Sequence, residues 1–170
     1  MPRAQEELLD AVRLALESAV VERRYPLAGF TRLADRLAAA AGEARVSLAF
    51  RNAGGVPTGE LRLRADVVLN CRRCLGPLRR ILESSSLLAF VASEEAPVPE
   101  DHEVIAGDPE RVDLAALVED ELLLALPIFT AHRADEECVA AAKGAAGGGS
   151  EPRVPERRRP FAGLKDLLKN

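Results

Sequence analysis

Apolar positions along the chain change their period several times, and each change marks an element. Over residues 6–22, Leu9, Val12, Leu16, Ala19 and Val20 recur at three- and four-residue intervals, which predicts a helix with one apolar face. The stretch FTRLADRLAAAAG, residues 30–42, predicts a second helix with Thr31 as its N-cap and Gly42 as its stop. The period then falls to two. In RVSLAFR, Val46, Leu48 and Phe50 alternate inward, and in GELRLRADVVLN, Leu61 and Leu63 alternate with arginines. This predicts two strands joined at AGGVPTG. LRRILESSSLLAFVA, residues 78–92, predicts a third strand, followed by the loop SEEAPVPEDHE.

Residues 113–126, DLAALVEDELLLAL, carry the clearest helical pattern. Asp113 supplies an N-cap, and Leu114, Leu117, Val118 and Leu122 form an apolar stripe continued by Leu124 and Leu126. Pro127 ends it. Residues 139–156, VAAAKGAAGGGSEPRVPE, have the composition of a flexible linker. The terminal RRRPFAGLKDLLKN returns to a helical spacing, with Phe161, Leu164 and Leu168 on one face. The expected fold class is α+β: N-terminal helices, a small antiparallel β-sheet, a Leu-rich helix, and a flexible linker to a short C-terminal helix. The expected organisation is a single domain over residues 1–138, the linker over 139–156, and a basic and apolar docking segment over 157–170.

The bulk numbers narrow this picture. A chain of 170 residues suits one domain, and with aromatics at only 4% the core must be built mostly of Leu and Val. All but Lys143, Lys165 and Lys169 of the 23 basic residues are arginine, which in an alanine-rich chain reads as codon drift before it reads as nucleic-acid binding. No run approaches the roughly 18 apolar residues of a membrane span. MPRAQEELLDAVRL has acids where a signal peptide needs an apolar core, so the expectation is a cytoplasmic protein with reduced thiols and no membrane partner.

The net charge of −4 conceals a polar distribution. Residues 61–80 hold Arg62, Arg64, Arg72, Arg73, Arg79 and Arg80 against Asp66 alone, while residues 93–122 hold eleven carboxylates against Arg111 alone. Separated charge can steer a partner to one face. The plain alternative is that the two segments lie side by side and neutralise each other.

The chemistry centres on NCRRCLGPLRR, residues 70–80. Cys71 and Cys74 form a C-x-x-C knuckle, a spacing that lets two thiolates reach one ion. His132 and Cys138, just after the Leu-rich helix, complete a Cys₃His set, the composition of a closed structural zinc site. Two alternatives stay open at this point: small buried thiols with a solvated His132, and a thiol redox centre. The redox motif belongs between a strand and a helix, whereas here Gly76-Pro77 and a strand follow. No G-x-S-x-G, P-loop, G-x-G-x-x-G or H-E-x-x-H is present, and Glu119, Asp120 and Glu121 point in different directions on a helix, a poor catalytic pair.

Three stretches, VVLNCRRCLGPL, DLAALVEDELLLALPIFTAHRADEEC and the terminal RRRPFAGLKDLLKN, come in an order that resembles the YceD family, the large ribosomal RNA subunit accumulation proteins. RYPLAGFTRLADRL fits its less distinctive N-terminal part. The resemblance implies a non-enzymatic protein needed for accumulation of 23S ribosomal RNA, whose relatives are often encoded beside a small large-subunit ribosomal protein. The expected partner is 23S rRNA or a large-subunit ribosomal protein: the six arginines of the hairpin would meet RNA phosphates or an acidic protein patch, and the acidic segment 93–122 could instead hold a basic ribosomal protein before it reaches the RNA. The alternatives are a zinc-stabilised nucleic-acid-binding or regulatory module and, behind it, a thiol redox protein.

Overall fold

The computed structural model describes residues 8–132 together with Cys138. The linker 139–156 and the docking segment 157–170, with Phe161, Leu164 and Leu168, lie outside the described residues. The elements in order are β1 (Leu8–Leu9), α1 (Ala11–Leu16), β2 (Val20–Pro26), a single 3₁₀ turn (Leu27–Gly29), α2 (Thr31–Ala34), β3 (Glu43–Ala53), β4 (Val56–Asn70), β5 (Pro77–Val91), β6 (Glu103–Ala106), β7 (Val112–Asp113) and α3 (Leu114–Leu124). The fold class is α+β. Strands β2 to β5 form an antiparallel meander, and β6 adds to β5 as a parallel edge strand. The pair β1–β7 forms a separate two-stranded sheet.

Period-two alternation builds the meander. Val46, Leu48 and Phe50 of β3 and Leu61, Leu63, Ala65, Val67 and Leu69 of β4 are all buried on one face. Helix α1 covers that face over β3 and β4, and α3 covers it over β4 and β5. The opposite face carries the polar set Arg45, Ser47, Arg62, Arg64 and Glu83. The β3–β4 turn is tight: Gly54 and Gly55 take φ of 63° and 92°, a conformation glycine reaches without steric cost, and Asn52 accepts a hydrogen bond from the Gly55 N–H.

The N-terminal region departs from the helical expectation. The helix foreseen over 6–22 stops at Leu16; Ser18 turns the chain at φ 50°, and Val20–Pro26 becomes an edge strand paired with β3. Val20, assigned to the apolar helical face, is exposed, while Val21 and Tyr25 point inward. Two β-branched residues next to an unpaired β3 edge gain more from the ladder than from continuing a helix. The helix foreseen over 30–42 is also a single turn, α2. Its alanine run is diverted instead: Ala38 N–H donates to Val68 O at 2.7 Å, and Ala39 bridges to Val68. Gly42, at φ 108°, is a crossing point and no helix stop, since a Cβ there would lie 3.0 Å from Asp66 O. No helix of the described residues is long and apolar enough to cross a membrane.

Helix α3 forms as expected, with the Asp113 side chain accepting from Ala116 N–H at 3.1 Å. Leu124, expected to extend its apolar stripe, is exposed. Two acids turn inward instead. Glu121 accepts hydrogen bonds from the Ser84 and Ser86 hydroxyls of β5 at 3.1 and 3.0 Å. Glu119 caps α2 from across the core: it accepts from the N–H groups of Arg32 and Leu33 at 2.7 and 3.1 Å and pairs with the Arg32 guanidinium at 3.1 Å. Thr31 is not the cap. Together the Asp120 and Glu119 carboxylates hold the Arg32 pKa above its ordinary value. Glu119→Ala orphans two N–H groups at the start of α2 and is expected to cost about 1–3 kcal/mol in urea denaturation, with Glu119→Gln milder because its amide oxygen still accepts.

Candidate metal centre

Strands β4 and β5 pair from Thr58↔Ala89 down to Asn70↔Pro77, so the knuckle is the turn at the tip of the longest hairpin. Its backbone closes on itself: Cys71 N–H donates to Gly76 O at 2.9 Å and Leu75 N–H to Cys71 O at 2.8 Å. The chain leaving α3 returns to this tip. Arg72 N–H donates to Thr130 O at 2.8 Å, and the Thr130 hydroxyl donates to Asn70 O at 2.8 Å. Those two bonds set Ala131 and His132 beside the knuckle, and Cys138 joins them in a small buried cluster with Cys71 and Leu78.

The four expected ligands come together. One donor atom from each of Cys71, Cys74, His132 and Cys138 falls within 4.8 Å of the others, and the set can hold a metal ion. The Sγ atoms of Cys71 and Cys138 are 3.8 Å apart, and Cys74 Sγ is 3.5 Å from His132 Nδ1. A tetrahedral ion with metal–sulfur bonds of about 2.3 Å and metal–nitrogen bonds of about 2.0–2.1 Å separates two sulfurs by about 3.8 Å, and a sulfur from a nitrogen by about 3.5 Å. The donor set therefore fits such an ion. Nε2 of His132 lies 3.2 Å from Pro77 O; with its proton on Nε2, the ring donates there and leaves Nδ1 free to ligate.

The thiols are electrostatically unequal. Burial pushes Cys71 up, but hydrogen bonds from the backbone N–H groups of Cys74, His132 and Arg73 prevail and bring its pKa down to about 5; the Arg73 N–H lies 3.4 Å from its sulfur. Cys138 is pushed up to about 11, first by burial and then by its neighbours Cys74 and Cys71. One preformed thiolate beside one retained thiol is the expected state of crowded sulfurs without a cation between them.

The six hairpin arginines do not form one surface. Arg62 and Arg64 project from the open sheet face, where Arg62 pairs with Glu60 at 2.5 Å and Arg64 pairs with Glu83. Arg79 lies on the same face, opposite Val68. Arg80 turns to the other side and donates to Ala131 O at 3.0 Å, bracing the clip. The side chains of Arg72 and Arg73 are exposed on the knuckle itself. The carboxylates next to Arg62 and Arg64 come from the sheet, not from the acidic segment 93–122, so the two charged segments do not neutralise each other there.

Two arginines escaped the sequence reading. Arg24 of β2 and Arg45 of β3 stand in direct register with Arg64, making a three-strand row beside Arg62 in an open groove of about 590 Å³. Directly opposed like charges are unfavourable, and Glu43 relieves them by lying 2.9 Å from Arg45 and 3.7 Å from Arg24. The signal was present in VVERRYP, but only a strand, not a helix, brings Arg24 to that row.

Comparisons with known proteins agree with one another. A model of the YceD family, described as large ribosomal RNA subunit accumulation protein YceD, matches residues 59–168. A curated relative from Haemophilus influenzae, the large ribosomal RNA subunit accumulation protein YceD, is 31% identical over 140 residues, covering 80% of this chain and 80% of the relative. No solved structure matches the chain.

Proposed function

The chain belongs to the YceD family of large ribosomal RNA subunit accumulation proteins, and from that premise we propose that it is a non-enzymatic, cytoplasmic binding protein supporting 23S rRNA accumulation and large-subunit assembly. The observation that carries this reading is the family match, which spans the hairpin, the clip and α3. Physical features support it. Cys71 has no exposed surface, so its low pKa serves a ligand better than a nucleophile that must reach a substrate.

In this reading zinc occupies the Cys₃His set and is structural. Four protein donors leave no open position for water or substrate. The metal would tie the tip of the β4–β5 hairpin to the segment after α3 and so hold the exposed Arg72 and Arg73 in place. Ribosomal RNA is the partner we favour. The row Arg24, Arg45 and Arg64, with Arg62 beside it, offers forked donors to successive phosphates, and base-specific reading is not expected from so few aromatics. A second reading rests on the exposed acids Glu94, Glu95, Glu100, Asp101, Glu103, Asp108 and Glu110, a surface suited to holding a basic ribosomal protein before it reaches the RNA.

Depletion of the protein in its own host tests the function. The expected result is a selective fall in large subunits on a sucrose gradient, with 23S RNA reduced relative to 16S. Unchanged ratios would overturn the reading. Crosslinking then separates the two partners, and an RNA complex should also weaken steeply with salt.

A further inference from the structure

Beside the clip the surface turns apolar. Leu75, Leu124, Ile128 and Phe129 are 78%, 76%, 95% and 64% exposed. Leu75 and Ile128 line an open groove of about 610 Å³ between the knuckle and the segment after α3, with Leu69, Leu123 and Leu126 between them. A domain seldom gathers large apolar side chains at one end without something that covers them. Leu75 carries a second cost: its φ of 60° is the left-handed conformation, unfavourable for leucine and ordinary for Asn or Gly. A strained, exposed leucine at the rim of a groove points to a contact.

We propose that this groove is the docking site of the chain's own C-terminal segment, residues 157–170, seated through Phe161, Leu164 and Leu168. Placement argues for this occupant. Cys71, buried behind the groove wall, has its sulfur 3.8 Å from that of Cys138, so the last described residue lies close behind the groove. A linker of the composition of residues 139–156 lets Phe161 range over about 25 Å, which holds the segment at roughly millimolar effective concentration. Chemistry agrees. Apolar side chains at positions i, i+3 and i+7 suit a groove walled by Leu69, Leu75, Leu123, Leu126 and Ile128; Asp35, Arg36 and Arg72 also line it, so the fit rests on the apolar contacts and not on charge. The docking requires neither the metal nor the ribosomal role.

The test uses the full chain and two reciprocal readouts. Phe161→Glu/Leu164→Glu should speed amide hydrogen exchange over residues 123–130 about tenfold while leaving β3 unchanged. Ile128→Glu, at a position already exposed, should speed tryptic cleavage after Lys165, between the anchors Leu164 and Leu168, about tenfold. Leu75→Asn removes a groove wall without adding charge and suits the left-handed backbone; it should release the segment in the same way. Cleavage as fast in the unsubstituted chain as in Ile128→Glu would overturn the proposal and leave the groove to a partner in trans. Protection that disappears on hundredfold dilution would overturn it in favour of a second copy of the chain.

Discussion

A Cys138→Ser chain purified without chelator is expected to hold less than about a tenth of the zinc carried by the unsubstituted protein, and to melt more than about 10 °C lower. Serine is close in size to cysteine, but its hydroxyl does not ionise at neutral pH, so the loss falls on ligation and not on packing. The remaining donors, Cys71, Cys74 and His132, keep their positions through bonds that do not involve Cys138: Cys71 N–H to Gly76 O, Arg72 N–H to Thr130 O, and His132 Nε2 against Pro77 O. Chelator added to the unsubstituted protein should reproduce the lower melting temperature. Uptake of the metal should also release protons. At pH 7 Cys71, brought down to about 5, is already a thiolate, whereas Cys138, pushed up to about 11, must give up its proton to ligate. Lower pH therefore opposes loading, and the apparent affinity should rise between pH 6 and 8. Substoichiometric zinc, with an unchanged melting temperature in both Cys71→Ser and Cys138→Ser, would remove the metal site and leave small buried thiols in its place.

Phe90→Ala should destabilise the fold by about 3–5 kcal/mol, read as a lower urea midpoint at an unchanged slope. Phe90 is fully buried near the end of β5, with its ring centroid 5.7 Å from that of Phe50. No larger side chain can move in to replace it from the neighbouring strand. Gly59 sits there because a Cβ would come 2.8 Å from Leu48 Cδ1 and 3.3 Å from Phe90 Cε2. Phe90 also stands opposite Ile105, so its loss loosens the parallel edge strand β6 as well as the core. Phe90→Leu should recover more than half of the loss. An equal cost for both substitutions would mean that ring geometry, not buried volume, holds this part of the core.

The parts of the fold legible in the sequence are those where side-chain alternation and backbone pairing agree. Strands β3 and β4 alternate over one covered face, β5 follows them until its last four residues, all buried, and α3 announces its start through Asp113. The misreadings share one physical cause: tertiary pairing overrode local preference. VVERRYP completes an edge beside β3, and the alanines at 38–41 bend toward Val68, where a backbone bond was available. The short β6 could not be foreseen, because four residues of a parallel strand have no turn to announce them. At the site, residue type and economy were enough to bring together Cys71, Cys74, His132 and Cys138. The arginines were grouped by sequence proximity, which a hairpin breaks: Arg79 and Arg80 are adjacent in the chain yet lie on opposite faces of the sheet. Glu119 was weighed only as a catalytic acid, and its role as a cap for α2 depended on a contact across 87 residues.

The clip has an order of assembly written into it. Its first two sulfurs sit at a hairpin tip, and the last ligand comes 67 residues after Cys71. At a synthesis rate of about 5–20 residues per second, the knuckle exists for roughly 3–13 s before Cys138 is even joined to the chain. The β4–β5 hairpin can pair in that interval, because every backbone partner it needs is already made. The four-donor set is incomplete until Cys138 is made. An ion held there would mark a chain finished through residue 138, and a ribosome stalled before that residue leaves a paired hairpin with a half-built clip.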